Sequence, residues 1–221
     1  MMTWRPTPIS DEDAFAAIKA GIDGVPPGAK MILNSGQWSF HLISSDPPNS
    51  PHALGEFYGQ DFSAVNIELV ARFFEKYPDY ADRVFLSVKG GLLPEQLAVD
   101  GSRENLRRSV DDILKALRGT KKLDLFEPAR RDPNYEIEHY AEVLNELVKE
   151  GKFDYIGLSE VGAETVRRAH KVCEGFSFFL FAGLPDCPCA RESLIVRIGY
   201  ACRCGRDRSK PSGIRAANQR W

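Results

Sequence analysis

Residues 101–158 read GSRENLRRSVDDILKALRGTKKLDLFEPARRDPNYEIEHYAEVLNELVKEGKFDYIGL, and their hydrophobic spacing switches from helical to extended and back again. Ser102 stands as an N-cap before Leu106, Val110, Ile113, Leu114 and Leu117, which share one helical face, and Gly119 stops that helix. Leu123–Phe126 is a short apolar strand. Ile137, Tyr140, Leu144, Leu147 and Val148 line the face of a second helix over 136–150, and Gly151 sits where a C-terminal cap belongs. Tyr155–Leu158 is the next strand.

The same alternation extends in both directions. Toward the N-terminus lie a β-rich run at Val84–Val88, a helix over 63–77 carrying Ile67, Val70 and Phe74, and a strand at Ala29–Asn34. A first helix is capped by Ser10 and buries Phe15, Ile18 and Ile22, with Pro26 and Pro27 beyond its end. Toward the C-terminus a further helix runs over 162–172. Strand and helix alternate through four rounds with connections too long for hairpins, which predicts right-handed βαβ units, a parallel sheet and the α/β class. Periodicity alone leaves barrel and open sheet both possible.

Composition narrows the function. The chain has 221 residues, 43% hydrophobic and 27% charged, with a formal net charge of −2, as expected of a soluble globular protein. Its longest mostly apolar run, Phe176–Leu184, covers nine positions, against the roughly 20 of a membrane helix. Met1–Pro6 offers no apolar segment for a secretory signal. Near-neutral charge gives no reason to expect nucleic acid as a partner.

The averages conceal a break. Residues 174–221 carry a net charge of +4 and four of the five cysteines, whereas residues 1–173 carry −6 and only Cys173. A nearly cysteine-free body suits a reducing, cytoplasmic compartment. In the tail from 174 the run Phe176–Leu184 could form a buried strand, but no amphipathic helix follows it, and the tail is expected to be irregular or disordered. Gln37–Gly55, with three prolines and one charged residue, reads as an irregular insert. Both segments interrupt the pattern abruptly, as translated non-coding sequence would.

In parallel α/β sheets reactive groups gather at the carboxyl ends of the strands. Lys89 follows one such strand and precedes Gly90-Gly91; a buried ammonium there is costly unless paired, and a solvated loop lysine is the plainer alternative. Tyr58, in Glu56-Phe57-Tyr58-Gly59, lies in the loop before the second helix. Ser159-Glu160 closes the strand that ends at Leu158, as either a cap or a binding element.

Taken together these residues resemble the aldo-keto reductase family, (β/α)8 barrels that reduce carbonyls with NADPH. The resemblance runs through Glu56–Gly59, Ser87–Gly91, Leu123–Phe126 leading to Arg130-Arg131-Asp132, and Gly151–Glu160. It is strongest toward the fungal pyridoxal reductase branch. What it implies is a partial barrel, strands two to five with their helices over 1–173, lacking strands six to eight and the loops that bind adenosine phosphate. It implies Tyr58 as general acid, its phenol brought down from a pKa near 10 by the Lys89 cation. The family aspartate that pairs with the lysine falls at Asn34 once 37–55 is set aside, and the family histidine falls at Ala129. Ser159 and Glu160 would contact the nicotinamide carboxamide. The implied partner is a small aldehyde, pyridoxal above all.

Three other readings compete. A non-catalytic barrel fragment, inactive through the loss of half the barrel, would associate with other chains through exposed sheet edges. Cys187, Cys189, Cys202 and Cys204 offer four thiolates for zinc, although Cys-x-Cys pairs are tighter than usual structural spacing. The basic tail as a nucleic-acid arm is weaker, since its arginines are not clustered. Arg130, Arg131 and His139 are read as structural rather than catalytic.

Overall fold

The computed structural model describes residues 9–35, 64–93, 98–159 and 161–172, together with the backbone of two further strands at 178–181 and 195–198. Its elements are α1 (Asp11–Asp23), β1 (Met31–Ser35), α2 (Val65–Lys76), a short 3-10 helix (Pro78–Arg83), β2 (Val84–Gly90), α3 (Arg103–Leu117), β3 (Leu125–Pro128), α4 (Ile137–Lys149), β4 (Tyr155–Ser159), α5 (Ala163–Val172), β5 (Phe178–Phe181) and β6 (Ile195–Ile198). The strands form one sheet in chain order. β1 to β5 are parallel, and β6 returns antiparallel to β5. The α/β reading therefore holds, with strands and helices alternating as the periodicity predicts.

Local chemistry places the boundaries. Ser10 caps α1 by accepting the Asp13 amide at 3.1 Å, and Ser102 caps α3 by accepting the Asn105 amide at 3.2 Å. Gly151, with φ of +76°, turns the chain after α4 in a conformation that favours glycine. β3 begins two residues later than the LDLF run suggests. At Asp124 the carboxylate, rather than a main-chain carbonyl, accepts the Leu86 amide at 2.7 Å, and the same oxygen accepts from Lys121 Nζ at 2.7 Å. The ladder is regular only after this substitution.

The sheet has two chemically distinct faces, as the two-residue period requires. Val84, Leu86, Val88, Phe126, Ile156 and Leu158 join the buried core with the apolar stripes of the helices: Phe15 and Ile18 from α1, Phe73 and Phe74 from α2, Leu106 and Ile113 from α3, Leu144 and Leu147 from α4. Each such large side chain contributes about 1.5–3 kcal/mol on burial. Polar ties fix the helices to the strands: Asn66 on α2 donates to Ser35 on β1 at 2.7 Å. α3 and α4 are bridged at their solvent edge by Arg103–Glu146 and Arg107–Glu150, half-exposed pairs that add little.

The opposite face carries Asn34, Ser87, Lys89, Glu127, Gly157 and Ser159 near the carboxyl ends of β1 to β4. This face holds the site. β5 falls inside the apolar 176–184 run, and β6 lies in the stretch expected to be irregular, so the sheet continues past the expected break to that extent. The insert 37–55 and the rest of the tail lie outside the described residues.

Candidate active site

Lys89 is a strand residue, the sixth of β2, and is only 6% exposed. The solvated-loop alternative is thereby set aside. Its ammonium donates to Ser159 Oγ on β4 at 2.9 Å and stands 4.0 Å from Glu127 Oε1 on β3. The parallel register explains the meeting. Lys89 pairs with Glu127 across β2 and β3, and both side chains leave the sheet on the face away from the helices. One strand further, Gly157 lies beside Glu127 with no side chain of its own. Lys89 on β2 reaches across β3 to Ser159 on β4, on the same face of the sheet.

Glu127 is fully buried. Neither of its oxygens has a hydrogen bond of normal geometry among the described residues, and the buried Ser87 hydroxyl is in the same position. Burial pushes the carboxyl up to about 7, while the Lys89 cation and the Asn34 amide act to hold it down. A buried carboxyl that titrates near neutrality beside a buried ammonium is unusual in a purely structural sheet, and such perturbed groups concentrate at functional sites.

The expected site residues thus divide. The fold brings Lys89 and Ser159 into direct contact and carries Asn34 on β1, exposed, in register with Ser87 and near enough to influence Glu127. Tyr58 and Glu160 lie outside the described residues. Ala129 is buried against Leu92 and Val99, a small apolar contact where the family pattern has histidine. Arg130 donates to the Ala129 carbonyl at 2.8 Å, and His139 meets the Gly101 carbonyl at 2.9 Å while stacked on Tyr135; both act in holding the loops after the strands. Glu127 is the residue that sequence reasoning missed. The signal available was an acid at the inward alternation of β3, between Leu125 and Ala129.

Residues 54–178 match the Aldo/keto reductase family. The chain belongs to that family. It is 48% identical over 168 residues to "Probable pyridoxal reductase 2" of Schizosaccharomyces pombe, covering 76% of this chain and 44% of that protein. It is 34% identical over 178 residues to the "Putative pyridoxal reductase" of Saccharomyces cerevisiae, covering 77% and 45%. This aldo-keto reductase chain therefore spans less than half the length of those curated relatives. Among solved structures it is similar to a glycerol dehydrogenase from Gluconobacter oxydans, with a TM-score of 0.53 at 20% identity, covering 75% of this chain and 44% of that one. That likeness establishes the fold: the described sheet corresponds to part of a (β/α)8 barrel, its polar face to the barrel interior.

Aldo-keto reductases use nicotinamide cofactors on small carbonyl substrates, and the residues present fit that group. Ser159 accepts from Lys89 and keeps its own hydroxyl proton to donate, so it can address a carboxamide oxygen at the strand end. Among the described residues no cluster of His, Cys, Asp and Glu could hold a metal, and no helix is long and apolar enough to cross a membrane. The four tail cysteines lie outside the described residues.

Proposed function

We propose that this chain serves NADPH-dependent reduction of an aldehyde to an alcohol, with pyridoxal, converted to pyridoxine, as the substrate. One observation carries the reading: Lys89, a buried cation at the carboxyl end of a parallel strand, pinned by Ser159 at 2.9 Å. The similarity to pyridoxal reductases over three-quarters of the chain supports the substrate. The small number of cysteines in the body supports a cytoplasmic setting.

When bound, NADPH supplies the hydride that reaches the carbonyl carbon. The chain supplies the proton and the electrostatics. Tyr58 donates its phenolic proton to the oxygen that becomes the alcohol, and Lys89 offsets the charge left on the phenolate. Ser159 holds the Lys89 ammonium in place and, with Glu160, orients the nicotinamide carboxamide. Asn34 places an amide beside the pair. Ala129 offers no hydrogen bond to the carbonyl, so the phenolic oxygen and ring nitrogen of pyridoxal itself take a larger share in polarising the aldehyde.

The test is pyridoxal-dependent oxidation of NADPH by this chain and by its Tyr58→Phe variant. A general acid contributes about 10²–10⁴-fold, so the variant is expected to fall by that order; equal rates would remove Tyr58 from the role.

A second reading has one observation in its favour. β1 pairs only with β2 among the described strands, and Ile32 on it is 37% exposed. A parallel edge that no described strand covers, carrying an apolar residue, favours pairing with a second copy of the chain. Light scattering of the purified protein checks it, a concentration-independent monomer being the contrary result.

A further inference from the structure

Lys89 needs an anion. Ser159 accepts a hydrogen bond from it but cannot neutralise it, and a buried ammonium without a counter-charge is strongly disfavoured. Asn34, at the place where the family pattern carries the lysine's aspartate, has no charge. Among the described residues the acid within reach is on a different strand. Glu127 Oε1 stands 4.0 Å from Lys89 Nζ, both groups are buried, and the two residues are register partners across β2 and β3. The space Glu127 occupies is prepared by Gly157, where any side chain would collide with it.

We propose that Glu127 is the positioning carboxylate of this reductase site, holding the Lys89 ammonium from β3 in place of an acid on β1. The inference rests on the reductase reading for its purpose, but the pairing itself is testable without catalysis. Lys89 is the titratable group that faces Glu127 among the described residues. β1 presents the neutral Asn34, β2 also the neutral Ser87, and β4 the neutral Gly157 and Ser159; Tyr155, one layer down β4, packs against Phe85. Among the described residues the protonation of Glu127 is therefore set by burial, by one cation and by the Asn34 amide. Among the described residues Lys89 is anchored by a charge partner when Glu127 is ionised, and by Ser159 when it is not.

The experiment is a carboxyl-carbon NMR titration of protein labelled with ¹³C-glutamate, the Glu127 signal assigned by through-bond connectivity. In the wild type it should titrate well above the other glutamates. In Lys89→Met its midpoint should rise by at least one further unit, a tenfold tighter proton, and in Lys89→Arg it should stay near the wild-type value. Equal midpoints in the wild type and Lys89→Met would overturn the pairing. A second measurement needs no lysine variant. Glu127→Gln should lower kcat about tenfold or more with little change in KM and should remove a pH-dependent limb from kcat, and adding Asn34→Asp should restore part of the rate. An unchanged kcat and pH profile would overturn the positioning role. A wild-type chain that shows the coupled titration but oxidises no NADPH would instead overturn the functional reading.

Discussion

Gly157 and Glu127 are matched in space: a Cβ at Gly157 would stand 2.6 Å from the Glu127 Cβ and 3.3 Å from its Oε2. The glycine in the middle of β4 is thus required by the close approach of Glu127 and Leu125 on the neighbouring strand, not by a turn. Gly157→Ala is expected to destabilise the fold by about 1–3 kcal/mol through overpacking and to displace the carboxylate from Lys89. Urea denaturation measures the first effect; an unchanged midpoint would mean that the two residues do not share this space.

The buried carboxyl also shapes stability against pH. Its pKa in the folded protein is about 7 against an ordinary 4.5, so the folded state holds this proton more tightly than the unfolded chain does. The stabilisation is fully present below about pH 4.5 and is lost as pH rises through about 7, a change of up to about 3 kcal/mol. Other acids act in the opposite direction: Asp11 beside Arg72 and Glu138 beside Arg168 are held low. Subtraction against Glu127→Gln isolates the effect. The wild type minus variant stability should decrease between pH 4.5 and 7, and a flat difference would contradict the burial of an ionisable group here.

Asp124 joins two strands at the start of β3. Its Oδ2 accepts from the Leu86 amide and from Lys121 Nζ, both at 2.7 Å. Asp124→Ala leaves a ladder amide and a nearly buried ammonium without their acceptor, which predicts a loss of about 3–5 kcal/mol. Lys121→Met added to it should recover part of that loss, because the uncompensated cation is then gone. Chemical unfolding of the single and double variants decides the matter.

A tight polar cluster holds the loop after β3. The Asp132 amide donates to Tyr140 Oη at 2.8 Å, and Asp132 Oδ2 accepts from the Gly101 amide at 3.1 Å. Burial raises the Tyr140 phenol to about 12, so it stays neutral as an acceptor at physiological pH. Tyr140→Phe should cost about 1–3 kcal/mol by leaving the buried Asp132 amide unpaired. Gly101→Ala should cost more, because its Cβ would lie 2.8 Å from Tyr140 Cζ and 2.9 Å from Tyr135 Cδ2. Thermal unfolding of both variants tests the ranking.

The elements that were legible in the sequence are those whose burial is one-sided and local. Leu106, Val110, Ile113 and Leu117 mark α3 because a helix repeats its buried face every three or four residues, and Ser102 caps it as an isolated serine would. The start of β3 was not legible, since Asp124 there replaces a main-chain rung with its carboxylate. Nor was the 3-10 helix at Pro78–Arg83, which buries no residue and so leaves no periodic trace. Lys89 stood out because an ammonium after an apolar strand needs a partner. Its partners did not, because the meeting of Lys89, Glu127 and Ser159 depends on the register of three strands separated by helices. A carboxylate fully buried in β3 is a property of that register alone.

The central proposal is that a buried Lys89 supports carbonyl reduction in this chain by offsetting the charge left on the proton donor. Its most direct test is the rate of pyridoxal-dependent NADPH oxidation by the wild type and by Lys89→Met, measured side by side on folded protein. The account predicts measurable oxidation by the wild type and a rate lower by on the order of 10²-fold or more in the variant. Equal rates in the two proteins, or no oxidation by either, would contradict it.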